Sequence, residues 1–399
     1  MVKYLIKDVE KGVKLIRLDD DRTRFFEAAW HIPEGITYNA YLIETNEGAI
    51  LVDTWKAAYS DIFMDALKEV LNPSSIKYVI LNHAEPDHTG SLPILLKDSK
   101  DAKVIINVAG EKVLKAKYDI NNEIVRVEGA KTMNLLGEEI SFFHVPWVHW
   151  PETMFTYQTR TKIMYTCDVF GSFSIPPQYY ADSKSEYYLR SAEKYFTTVM
   201  GYYRKYVLKA IEKVRTLGLE ISKIAPSHGG IWEGDTQKPL KLFESWARAE
   251  SKTKNVAVAY VSMYGSVEMA LSKVSDELSS RGIGVKTTAI TDSEYPDLEE
   301  FLIDANSSPA IILATPTYDT EIHPRMKFLL ELLREKFKGV NKPIVALISY
   351  GWGSNAARTT ESILRETGMN VLTVQSFREK ITKEQTIKVA DLIERAINA

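Results

Sequence analysis

Beyond about residue 255 the chain settles into five apolar strand-length runs alternating with five amphipathic helical stretches, and few folds accommodate that order. The strands are expected at about 255–261, 284–289, 309–314, 343–349 and 370–375. The helices are expected near 266–281, 295–304, 324–337, 354–367 and 382–398. Each strand must return parallel to the last through a helix, so the pattern predicts a doubly wound five-stranded parallel sheet covered on both faces. In the first of these helices Val267, Leu271, Val274 and Leu278 fall on one stripe, as a helix covering a sheet requires.

The earlier part of the chain has a different texture. From Tyr4 to about Ile163 it reads mostly as short β-type runs, among them Ala49-Ile50-Leu51-Val52-Asp53 and Tyr78-Val79-Ile80-Leu81, with one helix over about 60–71. A single long helical stretch is expected over about 183–217, a short strand over 221–225, and another helix over about 238–249. The polar run Glu250-Ser251-Lys252-Thr253-Lys254 then reads as a connector. The predicted organisation is a first domain over 1–250, a linker over 251–254 and a second domain over 255–399. A chain of 399 residues is too long for one ordinary core and suits two.

Charge and cysteine content narrow the function. A formal net charge of −3 gives no general electrostatic reason to bind nucleic acid or an anionic membrane. Charges interrupt the N-terminal apolar run too early for a signal peptide, and no later run reaches about 18 apolar residues, so a cytoplasmic protein is expected. With Cys167 alone, the chain has no internal disulfide, no Cys-x-x-Cys pair and no cysteine-held iron centre. Redox chemistry, if any, must use bound cofactors.

Chemistry concentrates at the ends of predicted strands. Asn82-His83-Ala84-Glu85-Pro86-Asp87-His88 follows an apolar strand and brings the potential ligands His83, Glu85, Asp87 and His88 into one short loop. Burying these groups unpaired would be costly, and a bound cation resolves the cost; the bland alternative is a solvated polar loop. His149 follows another apolar run, Asp168 ends Met164-Tyr165-Thr166-Cys167, and His228 follows Ala225-Pro226-Ser227. Strand-end ligands repeated in this way are difficult to explain as surface decoration.

A second set lies in the last domain. Ser262-Met263-Tyr264-Gly265-Ser266-Val267 joins a strand to a helix, and backbone N–H groups with serine hydroxyls at such a place can cradle an anion. Pro316-Thr317-Tyr318-Asp319 and Ser349-Tyr350-Gly351-Trp352-Gly353 follow the third and fourth strands, at the edge where open α/β sheets bind ligands. Trp352 and Tyr318 offer faces for a planar ring. The first loop lacks Gly-x-Gly-x-x-Gly, which argues against a dinucleotide.

The strand-end set resembles the metallo-β-lactamase fold, an αββα sandwich whose loops gather two metals. Its hydrolases usually carry His-x-His-x-Asp-His in the first loop, whereas here the second position is Glu85. In identity and order, His83, Glu85, Asp87, His149, Asp168 and His228 are similar to the ligands of flavodiiron proteins, also called A-type flavoproteins. The words His149-Trp150-Pro151-Glu152-Thr153-Met154, Ser227-His228-Gly229 and Gly35-Ile36-Thr37-Tyr38-Asn39-Ala40-Tyr41-Leu42 look like that family too, and the Ser262 to Val267 loop resembles the flavodoxin phosphate loop.

The resemblance implies two non-haem irons with a bridging oxide or hydroxide: one held by His83, Glu85 and His149, the other by Asp87 and His228, with Asp168 between them. His88 is a ligand position in the hydrolases and is included in the metal set, although in flavodiiron proteins the position leaves coordination open. Asp53 sits where the fold commonly keeps a ligand-orienting carboxylate. His144 is expected as a core or supporting residue, and His31 and His323 carry no metal signature. Imidazole and carboxylate donors suit iron, manganese or zinc, but three carboxylates nearly balance two ferrous ions.

The implied activity passes electrons from an external donor, a rubredoxin-like protein or a reduced small cofactor, through FMN to the irons, reducing O2 to water and/or NO to N2O. Domains of about 250 and 145 residues have radii of gyration of about 18 and 15 Å, which would put their centres roughly 35 Å apart in one chain. The family accordingly implies a head-to-tail homodimer, or a dimer of dimers, with one subunit's flavin beside the other's metals. The alternatives are a binuclear zinc hydrolase with an accessory flavodoxin domain, and an electron carrier with a vestigial metal site.

Overall fold

In the computed structural model, which describes residues 3–398, strand β1 (Lys3–Glu10) and β2 (Val13–Asp20) open a seven-stranded sheet. A short hairpin of β3 (Phe25–Phe26) and β4 (Trp30–His31) stands outside it. The sheet continues through β5 (Ile36–Thr45), β6 (Gly48–Val52), β7 (Ile76–Ile80), β8 (Lys103–Ile106) and β9 (Ile124–Arg126), in the order β1-β2-β5-β6-β7-β8-β9. From β1 to β6 neighbours are antiparallel, and from β6 to β9 they are parallel.

A six-stranded sheet follows in simple sequence order: β10 (Ala130–Leu135), β11 (Glu138–His144), β12 (Met154–Gln158), β13 (Ile163–Cys167), β14 (Lys223–Pro226) and β15 (Trp232–Glu233). Period-two alternation lets both sheets contribute to one core. Val13, Leu15, Tyr41, Ile43, Ile50 and Val52 of the first pack with Ile140, Phe142, Met154, Ile163 and Tyr165 of the second. The intervening residues Ile16, Leu18, Leu42 and Leu51 are buried as well, so the first sheet is covered on its other face. Helix α1 (Ser60–Val70), which buries Phe63, Met64, Ala66 and Leu67, packs against β2 there. This is the expected sandwich.

Three helices in this region are not those of the expected pattern. Pro86–Thr89 (α2) and Leu92–Asp98 (α3) form two short helices in place of a simple loop, each with a proline in its first turn, where the missing N–H costs nothing. Val108–Lys117 (α4) starts at Asn107, whose side chain accepts from Gly110 N at 2.8 Å. The stretch expected as one long helix is also divided: α5 (Glu186–Tyr195) passes into a π-helical turn at Phe196–Met200, then a 3-10 turn at Gly201–Tyr203, then α6 (Arg204–Thr216). Hydrophobic periodicity carries through such a turn, so the pattern alone does not reveal it. Helix α7 spans Gln237–Ala247.

The second sheet-and-helix layer matches its expectation closely. Strands β16 (Val256–Val261), β17 (Val285–Ile290), β18 (Ile311–Tyr318), β20 (Pro343–Tyr350) and β21 (Asn370–Arg378) are all parallel, in the order β17-β16-β18-β20-β21, and a two-residue β19 (Glu321–Ile322) folds back on β18. Helices α8 (Ser266–Ser280), α9 (Leu298–Ser307), α10 (Pro324–Lys336), α11 (Ala356–Thr367) and α12 (Lys383–Asn398) alternate with them. The stripe of α8, Val267, Ala270, Leu271, Val274 and Leu278, is buried against Val256, Val258, Ile312 and Val345. By compactness the chain divides into Met1–Phe196 with Tyr203–Glu244, and Thr197–Tyr202 with Ser245–Ala399. Among the described residues no helix is long and apolar enough to cross a membrane.

Candidate metal centre and flavin cleft

Parallel pairing sets the metal residues on one edge of the sandwich. Asp53 and Asn82-His83 follow the carboxyl ends of the parallel strands β6 and β7, while Asp168 and His228 follow those of β13 and β14. The connection from β11 to β12 carries His149 to the same edge, and Met154 N donates to Asn82 O at 2.9 Å across the two sheets. All of His83, Glu85, Asp87, His88, His149, Asp168 and His228 converge there.

Their donor atoms divide into two groups around one carboxylate. Asp168 Oδ2 lies 3.5 Å from His83 Nε2 and 3.6 Å from His149 Nε2, and Glu85 Oε2 lies 3.1 and 3.0 Å from the same two nitrogens. Asp168 Oδ1 lies 3.1 Å from His88 Nε2 and 3.2 Å from His228 Nε2, and Asp87 offers its oxygens to these at 3.3 and 3.4 Å. Two donors about 2.1 Å from a common ion and 90–110° apart stand about 3.0–3.4 Å from each other. The spacing is that of ligands around two ions sharing Asp168.

Unsatisfied atoms test the fit independently. Both oxygens of Asp87, Nε2 of His88 and Nε2 of His228 are buried and make no hydrogen bond. Native structures rarely leave such groups orphaned, and a cation among them removes the penalty. The chemistry of the set, imidazole and carboxylate with no thiolate among these donors, fits iron.

The opposite ring nitrogens are fixed by neighbours. His83 Nδ1 is 2.7 Å from Glu152 Oε1, which also accepts from Ala84 N at 3.1 Å. His228 Nδ1 donates to the Thr37 carbonyl at 2.7 Å. A carbonyl or an ionised carboxylate can only accept, so Nδ1 carries the proton in both rings and Nε2 is aimed at the centre. Asp53 acts one step further out, accepting from Asn82 N at 2.8 Å and from Ser227 Oγ at 3.4 Å, which ties together the residues preceding His83 and His228. Burial raises its pKa to about 6.

Electrostatics are those of a site built for positive charge. Burial opposes ionisation of Glu85, yet His149 and His83 outweigh it and hold the carboxyl well below its usual range. Burial acts on Asp168 in the same sense and is likewise outweighed, chiefly by His88 and His228. Tyr195 OH donates to Asp168 Oδ1 at 3.1 Å, and burial first, then the Asp168 charge, keep that phenol protonated. Neither Glu152, which lies in one of the family-like words, nor Tyr195 carries a local sequence signal for these roles. His144 has a supporting place, its Nε2 2.8 Å from the Pro151 carbonyl.

In the second unit a cleft opens at the carboxyl ends of β16, β18 and β20. It is lined by Ser262, Met263, Tyr264, Ser266 and Val267, by Pro316 and Thr317, by Ser349, Tyr350, Gly351 and Trp352, and by Glu379. Gly265 does not line it but shapes the loop: its φ of 86° is left-handed, its N donates to Ser262 Oγ at 3.2 Å, and α8 begins at the next residue. Tyr318, Asp319 and Gly353 also lie off its wall; Tyr318 packs edge-on against His323, with ring centroids 5.5 Å apart. Tyr264 and Trp352 are 90% and 82% exposed beside the cleft, aromatic surface that a planar ligand would cover.

Fold and site together define a class: a redox protein that pairs a binuclear histidine–carboxylate centre on a metallo-β-lactamase-like sandwich with a flavodoxin-like domain for FMN. Residues 36–229 match the model of the ODP family beta lactamases, and residues 258–392 match that of the flavodoxins. A solved flavoprotein from Thermotoga maritima superposes with a TM-score of 0.94 at 35% identity, covering 100% of this chain and 99% of that one. Other solved chains from that organism, at the same identity, are flavo di-iron proteins by name. A nitric oxide reductase of Moorella thermoacetica is 29% identical over 90% of this chain and 89% of its own length. A rubredoxin-oxygen oxidoreductase of Megalodesulfovibrio gigas is 27% identical over 97% of each. The chain belongs to the flavodiiron protein family.

Proposed function

We propose that this protein is a flavodiiron oxidoreductase that takes electrons from an external donor and reduces O2 to water, NO to N2O, or both. When bound, FMN and two irons supply the redox chemistry. The observation that carries the reading is Asp168, each of whose oxygens faces one pair of imidazoles. We assign His83, Glu85 and His149 to one iron, Asp87, His88 and His228 to the other, and Asp168 to both. Inclusion of His88 is supported by its buried Nε2, which makes no hydrogen bond and is placed between Asp87 and Asp168 like that of His228.

The chain's own contribution is positional and electrostatic. Glu152 and the Thr37 carbonyl keep protons on the outer nitrogens of His83 and His228, so each inner nitrogen is the one that would give up its proton to a metal. Glu85, Asp87 and Asp168 offset most of the charge of two divalent ions in a site largely closed to water. Tyr195 holds a proton on the Asp168 Oδ1 side and limits how far that carboxylate can swing. The loops from Ser262 to Val267, Pro316 to Asp319 and Ser349 to Gly353 are assigned to FMN, with the first on its phosphate and Trp352 on its ring.

The electron donor is placed outside the chain; the name of the Megalodesulfovibrio relative makes a rubredoxin-like protein the first donor class to try, ahead of a reduced small cofactor. We further propose a cytoplasmic head-to-tail homodimer, or a dimer of these, with functional domains 1–250 and 255–399 joined by 251–254. The zinc-hydrolase alternative is disfavoured by Glu85 in the first loop and by the flavodoxin match. Metal and flavin content of the purified protein tests the reading: two irons and one FMN per chain are expected, and two zincs without flavin would favour the hydrolase.

A further inference from the structure

The flavin cleft contains one ionisable acid and no lysine or arginine among the described residues that line it. That acid is Glu379, which follows β21 in a left-handed conformation with φ of 57°. Its Oε2 accepts from Ser266 Oγ at 3.2 Å. Its Oε1 lies over Gly351, where an added Cβ would come within 3.2 Å of it. Beside it, Arg378 Nε donates to Gly351 O at 3.0 Å. The carboxylate thus straps the loop that opens α8 to the loop that follows β20.

This placement conflicts with the loop's expected ligand. A phosphate monoester carries about −1.5 to −2 charges at pH 7 and seeks hydroxyl and N–H donors. Ser266 has one hydroxyl proton, which it can give to Glu379 or to a phosphate, not to both. Arg378 and Lys380 flank Glu379 and weaken the repulsion between the two anions, but neither lines the cleft, where the carboxylate and the phosphate would meet.

We infer that Glu379 is an internal competitor for the flavin phosphate: its carboxylate and the phosphate seek the same Ser266 hydroxyl proton, so the carboxylate must yield when FMN binds. The inference rests on the FMN reading above and goes beyond it in naming a residue that lowers FMN affinity and sets how strongly the site prefers a phosphorylated flavin. Riboflavin, which lacks the phosphate, does not meet the competition. Glu379 acts here on cofactor binding, not on the reaction.

The test is titration of the full-length chain, stripped of flavin, with FMN and separately with riboflavin, read by quenching of flavin fluorescence. In Glu379→Gln, FMN should bind about tenfold more tightly at low salt, the size expected for removing one charge near a divalent anion at a water-exposed place. The gain should shrink at high salt, where surface charges are screened, and riboflavin affinity should be unchanged. Glu379→Ala should behave in the same way, which separates loss of charge from any new contact made by glutamine. The proposal is overturned if neither variant binds FMN more tightly, or if both lose FMN and riboflavin alike, since Glu379 would then be an acceptor for the flavin's sugar-alcohol chain. If the native chain binds neither flavin, the FMN reading itself fails, and this inference with it.

Discussion

Glu152 Oε1 stands 2.7 Å from His83 Nδ1, and both side chains are buried. The pair brings together residues 69 positions apart and turns the inner nitrogen of His83 toward Glu85 and Asp168. A ligand oriented in this way is also made more basic by the charge behind it.

Glu152→Gln keeps an acceptor for Ala84 N and His83 but removes that charge. Affinity for the metal held by His83 should fall about 10- to 100-fold, with little change at the Asp87 half of the centre. Competition against a chelator of known affinity, followed for each metal equivalent, measures it; unchanged affinity would remove Glu152 from the account.

Proton uptake distinguishes the metal-free protein from the loaded one. Burial disfavours charge on His83 and His228, but Glu152 and Glu85 hold the first well above the ordinary imidazole pKa, and Asp168 with Asp87 lifts the second to about 10. Both rings are therefore protonated at pH 7 without metal, whereas an ion binds only the neutral form. Loading should release protons, and affinity should rise with pH toward about 10 and weaken as pH falls. Addition of metal to a weakly buffered sample with an indicator dye reads this directly. Loading at pH 7 with no proton release would contradict it.

Gly90 closes the short helix that carries Asp87 and His88. A Cβ there would lie 2.2 Å from Ala57 N and 2.6 Å from Pro86 O, and backbone atoms cannot step aside as a side-chain end can. Gly90→Ala should lower stability by about 3 kcal/mol or more and reduce metal content by displacing the ligand helix. Urea unfolding with metal analysis checks both; a change within about 0.5 kcal/mol would show that the contact is relieved cheaply.

How much of this could be read from the residues depended on the range of each interaction. His83, Glu85, Asp87, His149, Asp168 and His228 stood out because these groups follow apolar runs, a local signal. The five parallel strands were legible for the same reason, since Val-Ala-Val-Ala-Tyr-Val and its counterparts are short, apolar and evenly spaced. Glu152 was not, because its role depends on the connection between β11 and β12 folding back on β7. Tyr195 meets Asp168 only through the packing of α5, and the π-helical turn after it leaves the apolar periodicity intact. Glu379 was missed because the fifth strand end carries no glycine or hydroxyl word like the other cleft loops, and its importance comes from the distant Ser266.

The most direct test of the central claim is consumption of O2 and of NO by protein loaded with iron and FMN and supplied with excess electron donor, run beside His149→Ala. The native protein should consume at least one of the two gases. The variant should retain FMN and still accept electrons into it, while gas consumption falls to the rate of the flavin alone. Equal consumption by both, or none by native protein shown to hold two irons and one FMN, would contradict the account.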